Sequence, residues 1–162
     1  MTEISSARGS VVRAGVVLGL GIGGFFDGIV LHQILQWHHL LSDANYYPPT
    51  TLENLQINTL ADGLFHAATW SLTLIGLFMF WNVYQHRRAA LSTRVFIGAM
   101  LMGWGIFNLV EGIINHHILG IHHVRPGADQ AVWDIGFLVW GVLMLIGGWL
   151  LTRAGERDRR SA

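Results

Sequence analysis

Four apolar stretches, at roughly 11–41, 59–84, 95–119 and 132–151, constrain this chain more than anything else in it. Each reaches about 20 residues or more, the length an α-helix needs to cross the hydrocarbon core of a bilayer. In lipid every backbone N–H and C=O must be satisfied within the segment, and a helix does that. The first stretch is too long for a cleaved secretory leader, Asp27 interrupts it, and no small-residue cleavage site follows. Composition agrees, with 52% hydrophobic and only 12% charged residues, where soluble domains carry about 25% charged. The expectation is an all-α, polytopic membrane protein, a four-transmembrane-helix bundle forming one domain over residues 1–162.

The chain also repeats itself. Eighty-four residues after Asp27, Gly28, His32 and the pair His38-His39 come Glu111, Gly112, His116 and the pair His122-His123, with no gap. Gly19 and Gly21 match Gly103 and Gly105 at the same offset. Leu72-Thr73-Leu74-Ile75-Gly76 resembles Leu143-Met144-Leu145-Ile146-Gly147, and Asp62 and Asp134 open their helices. These matches read as a duplication: two parallel helical-hairpin repeats, about 11–86 and 94–152, related by a pseudo-twofold axis along the membrane normal.

All ten basic residues are arginine, and nine fall in three places. Arg8 and Arg13 precede helix 1, Arg87, Arg88 and Arg94 lie between helices 2 and 3, and Arg153, Arg157, Arg159 and Arg160 follow helix 4. Positive charge stays on the cytoplasmic side, so both termini and the middle loop are expected there, in a bacterial inner membrane. Only Arg125 dissents. Trp37, Tyr46 and Trp133 then mark the outer interface and Trp81, Tyr84 and Trp149 the inner one. Gly15, Gly19 and Gly23, four apart, are placed to let two helices approach closely. Zero net charge and the lack of a basic groove exclude nucleic acid as a partner. With no cysteine there is no disulfide, no thiolate metal site and no cysteine nucleophile.

The helical rise places the ionisable residues of the four spans in one slab, roughly 22 to 32 Å above the inner helix ends. Each helix supplies one carboxylate, Asp27, Asp62, Glu111 or Asp134, and three supply an imidazole, His32, His66 or His116. As α-helices, Asp62 and His66 share a face, whereas Asp27 and His32, or Glu111 and His116, stand about 140° apart. A carboxylate in lipid costs several kcal/mol unless it is paired, protonated or bound to a cation. A metal ion neutralises such a group and neutral histidines complete its shell, which is the ligand logic of di-metal carboxylate bundles. The candidate metal ligands are therefore Asp27, His32, Asp62, His66, Glu111, His116 and Asp134, with His38, His39, His122 and His123 as a second or loading site at the outer surface. Oxygen and nitrogen donors suit iron, manganese, zinc or copper(II). Haem held between histidines is a further option. His86 reads as interfacial, and His117 has only Gln33 as its counterpart.

The pattern Asp-Gly-x-x-x-His-x-x-x-x-x-His-His, together with Asp62-Gly63-x-x-His66, resembles a bacterial four-helix integral membrane family catalogued as domain of unknown function 2243. The resemblance implies the fold over about residues 15–151 and carries no activity. The leading functional expectation is binding of one or two transition-metal ions in the outer half of the bundle, for metal handling or redox chemistry. The alternatives are a di-metal or haem membrane oxidoreductase, a non-enzymatic partner subunit whose polar slab fixes helix register, and a proton pathway. Lipid, metal, and a second copy or a membrane partner subunit are the expected associates.

Overall fold

The computed structural model describes the backbone over residues 2–86 and 92–161, and side chains over 9–85 and 92–158. Arg87 and Arg88 of the middle loop, and the side chains of Arg8, His86, Arg159 and Arg160, lie outside the described residues. Helix α1 spans Thr2–Phe26 and runs without a break into π-helical turns over Asp27–Ile34. Helix α2 spans Leu52–His86. Helix α3 spans Thr93–Glu111 and passes into π-helical turns over Gly112–Ile118. Helix α4 spans Gln130–Ser161. All four contain a stretch long and apolar enough to cross a membrane, at Gly9–Ile34, Leu52–Gln85, Thr93–Ile118 and Gln130–Asp158. There is no strand among the described residues.

Helices α1 and α3 form the central pair; α2 packs on α1 and α4 on α3. Glycine makes the central crossing. A Cβ at Gly19 would run into the Met100 carbonyl, and one at Gly103 into the Val16 carbonyl. The two clashes correspond to each other at the 84-residue offset, since 16 and 19 stand 84 residues before 100 and 103. Backbone here meets backbone, so no side-chain adjustment makes room for a methyl group. The outer helices turn apolar residues outward: Leu64, Trp70 and Phe78 on α2, and Ile135, Trp140 and Leu143 on α4, are all exposed. Large apolar groups on the outside are what a lipid-facing surface requires.

At one end the chain departs from the expected helix lengths. Helical structure after α1 stops at Ile34, short of residue 41, because the backbone turns left-handed at Gln36 with φ 48°. Gly120 makes the matching turn after α3 with φ 58°. Residues 37–40 and 121–124 therefore fold back over the helix ends. Helix α2 begins at Leu52 rather than near residue 59, so the first loop is shifted toward the N-terminus, to residues 35–51. Fully buried Asn58 pins that loop, accepting from Leu41 N and donating to Tyr47 O. Asp43 N donates to Ile121 O at 3.0 Å, tying the two end segments together. Arg125 lies over the rings of Trp37 and Trp133, 5.4 and 5.6 Å from their centroids, which gives the one dissenting cation a local partner.

Candidate metal centre

The π-helical turns decide the site. On an α-helix, residues five apart point in different directions, but a π-turn closes its hydrogen bonds at i→i+5 and brings them onto one face. Leu35 N donates to Val30 O at 2.8 Å and Leu119 N to Ile114 O at 2.7 Å in this pattern. As a result His32 Nε2 lies 3.3 Å from Asp27 Oδ2, and His116 Nε2 lies 3.2 Å from Glu111 Oε1. The angular separation expected for both pairs is thereby corrected: each acid and its histidine point inward together.

The fold-back brings two more imidazoles inside. His38 and His122, expected at the outer surface, are 3% and 1% exposed. Their rings stack with centroids 4.6 Å apart, and each meets a further ring edge to face, His38 with His32 at 4.5 Å and His122 with His116 at 4.9 Å. Three of these four histidines commit Nδ1 outward. His38 Nδ1 donates to Val124 O and His122 Nδ1 to Leu40 O, two bonds related by the same 84-residue offset. His32 Nδ1 meets Asp62 Oδ1 at 2.8 Å. A backbone carbonyl or carboxylate on one nitrogen fixes the tautomer and leaves the other for a metal. His38 Nε2, His32 Nε2 and both His116 nitrogens are buried without a hydrogen-bond partner in the protein. Burial, with His122 and His32 alongside, holds the His38 imidazole well below the usual histidine range, so it is neutral.

Two sets of residues each bring one ligand atom apiece within 4.8 Å of one another: His32, His38 and His122, and Glu111, His116 and His122. Proton counting bears on what fills them. His122 Nδ1 faces a carbonyl while its Nε2 lies 2.7 Å from Glu111 Oε1. His32 and His116 likewise sit between two carboxylates, Asp27 and Asp62 for one, Glu111 and Asp134 for the other. A neutral imidazole has one N–H for two such acceptors. Added positive charge, from protons or from a metal ion, satisfies the remainder.

The other expected ligands stand further out. Asp62 lies behind His32 and also accepts from His39 Nδ1 at 2.7 Å and Leu40 N at 2.9 Å. Asp134 accepts from His123 Nδ1 at 2.7 Å and Val124 N at 3.0 Å, 3.4 Å from His116 Nδ1. Both acids thus orient histidines, and His39 and His123 cover their outer sides. His66 stands apart: Nδ1 donates to Asp62 O within its own helix, its ring lies near Phe25 and Phe65, and its Nε2 fills the space beside Gly28. At the corresponding place in the second half Leu138 packs over Gly112. Exposed His117 donates to Gly112 O.

A family profile described as "Predicted membrane protein (DUF2243)" matches residues 14–155. The chain belongs to that family. No curated protein and no solved structure matches it. Family membership fixes the membrane setting, so the chemistry has to be argued from the centre itself.

Two residues of this region carried no weight in the sequence. Asn58 holds the loop over the site, and Asn108, 3% exposed, is buried beside Asp27. An amide inside an apolar span is the signal that marks Asn108.

Proposed function

We propose that this membrane protein binds one or two transition-metal ions at the His32, His38, His116 and His122 centre, with Asp27 and Glu111 as the adjoining carboxylates. The carrying observation is the set of buried imidazole nitrogens left without a protein partner while the opposite nitrogens of His32 and His38 are held from behind. All-nitrogen and oxygen donors favour iron, manganese, zinc or copper(II). The distribution of arginine supports an orientation with the centre at the outer side of a bacterial inner membrane, where it would serve metal handling or redox chemistry.

The test is metal content by mass spectrometry on protein purified in mild detergent. Wild type should carry about one or two equivalents of one metal. His122→Ala and His38→Ala should lose it, and His66→Ala should keep it. Folded wild type free of metal from several growth media would overturn the reading. It would favour instead a proton-sharing network, which the short His122–Glu111 contact of 2.7 Å also supports.

A further inference from the structure

Beside the centre, between α1, α3 and α4, lies a cavity of about 360 Å³. Its volume is in the range that takes a small organic ligand. Trp104, Trp133, Phe137 and Trp140 line it, and Trp133 and Trp140 are among the apolar residues exposed on the membrane-spanning part of α4. Two polar side chains interrupt this aromatic wall, Asp27 and Asn108, each 3% exposed. Asn108 Oδ1 has no hydrogen-bond partner in the protein. A buried acceptor left unpaired carries the full desolvation cost of that group, so a ligand that supplies a donor recovers it.

The second half of the molecule provides an internal comparison. A smaller cavity of about 240 Å³ lies against Leu20, Phe107 and Glu111. Subtracting the 84-residue offset, Trp104 corresponds to Leu20 and Asn108 to Gly24. The smaller cavity has no indole, and its amide, Asn115, stands at the position of Leu31 and donates to Glu111 Oε1, so the helix packing does not require Trp104 or an unpaired amide at 108.

We propose that the larger cavity binds a prenylated hydroquinone. The ring lies among the tryptophans, a ring O–H donates to Asn108 Oδ1, and the tail leaves between Trp133 and Trp140 into the bilayer. Flat aromatic walls suit a flat ring. The chemistry of the polar end argues against an acyl chain or an anionic headgroup there. An acyl chain offers no donor and leaves Asn108 unpaired. A phosphate or fatty-acid carboxylate brings negative charge and acceptors to a place that already holds acceptors. Binding does not depend on the metal reading, although Asp27 Oδ2, at 3.3 Å from His32 Nε2, links the two sites.

The test is calorimetric titration of the full chain in mild detergent, under argon, with decyl-substituted benzohydroquinone. Wild type should bind it saturably. Asn108→Leu, which removes the acceptor at similar volume, should weaken binding about tenfold. Trp104→Leu, which installs the residue found at position 20, should weaken it too. Ile114→Ala, in the smaller cavity, should change affinity less than twofold. Absence of saturable binding, or equal affinity of wild type and Asn108→Leu, would overturn the proposal. So would equal affinity for decanoic acid or dioctanoyl phosphatidylglycerol, which would mark a general lipid groove. Metal content is measured on the same samples. Hydroquinone binding by metal-free protein keeps this inference when the metal reading fails, and metal without hydroquinone binding does the reverse.

Discussion

Asp62 accepts from four donors, His32 Nδ1, His39 Nδ1, Leu40 N and Gln33 Nε2, and that load is what lets a carboxylate sit 1% exposed in a membrane span. Asn in its place keeps the shape but turns one acceptor into a donor, facing groups that need to donate. Asp62→Asn should therefore lower metal affinity about 10–100-fold, the usual cost of losing a carboxylate behind a histidine ligand. Chelator competition on the purified protein reads this out, and an unchanged affinity would show that Asp62 does not orient a ligand. Gln36 presents a different residue-scale problem. It adopts φ 48° where the second half has Gly120 at φ 58°. A left-handed conformation costs a non-glycine residue roughly 1–2 kcal/mol. Gln36→Gly should raise the melting temperature in detergent and Gly120→Gln should lower it; shifts of the opposite sign would mean the turn is set by something other than backbone sterics.

At the scale of elements, the central crossing depends on glycine at specific points rather than on glycine content. Gly103→Ala puts a methyl group against the Val16 carbonyl, and backbone cannot yield as a side chain can. Gly147 on α4 has nothing within 4 Å of the same added atom. Gly103→Ala should lower the melting temperature by several degrees, while Gly147→Ala should leave it unchanged or raise it, since glycine is a poor helix former. Equal effects would place the α1–α3 interface elsewhere. The four spans were legible in the sequence because hydropathy and length determine them. The acids and imidazoles were legible as a group because each is costly in lipid. Their directions were not. Asp27-Gly28-Ile29-Val30-Leu31-His32 reads equally well as α-helix, and only the i→i+5 bonding turns Asp27 and His32 onto one face. The burial of His38 was hidden because the reversal before it falls on Gln36. Gly120, before His122, was the readable half of that signal. For His66 the clue was its counterpart: Leu138 at the matching position points to packing over glycine rather than ligation.

At the scale of the whole molecule, the centre gathers at the end of the bundle where α1 and α3 finish, so its function depends on which side of the membrane that end faces. The side chains of the arginine-rich segments are partly paired at the opposite end. Arg94 Nη1 meets Asp158 Oδ2 at 2.5 Å, and Arg153 lies 4.9 Å over the Trp149 ring. Near the centre the one cation, Arg125, lies over two indoles. Positive charge resists translocation, so the proposed orientation has the arginine end in the cytoplasm and the histidine end outside. A chain without native cysteine allows a clean test. Exposed positions Ala44 and Ala128 lie in the two loops at the histidine end, and exposed Thr93 begins α3 at the other. In intact cells with a permeabilised outer membrane, a membrane-impermeant maleimide should label Ala44→Cys and Ala128→Cys and spare Thr93→Cys until the inner membrane is opened. The reverse pattern would put the centre in the cytoplasm. It would then draw on a reduced, chelated metal pool and face soluble cytoplasmic partners. Labelling of Ala44 and Ala128 from opposite sides would break the hairpin arrangement itself, because both loops close the same four-imidazole centre through His38 and His122.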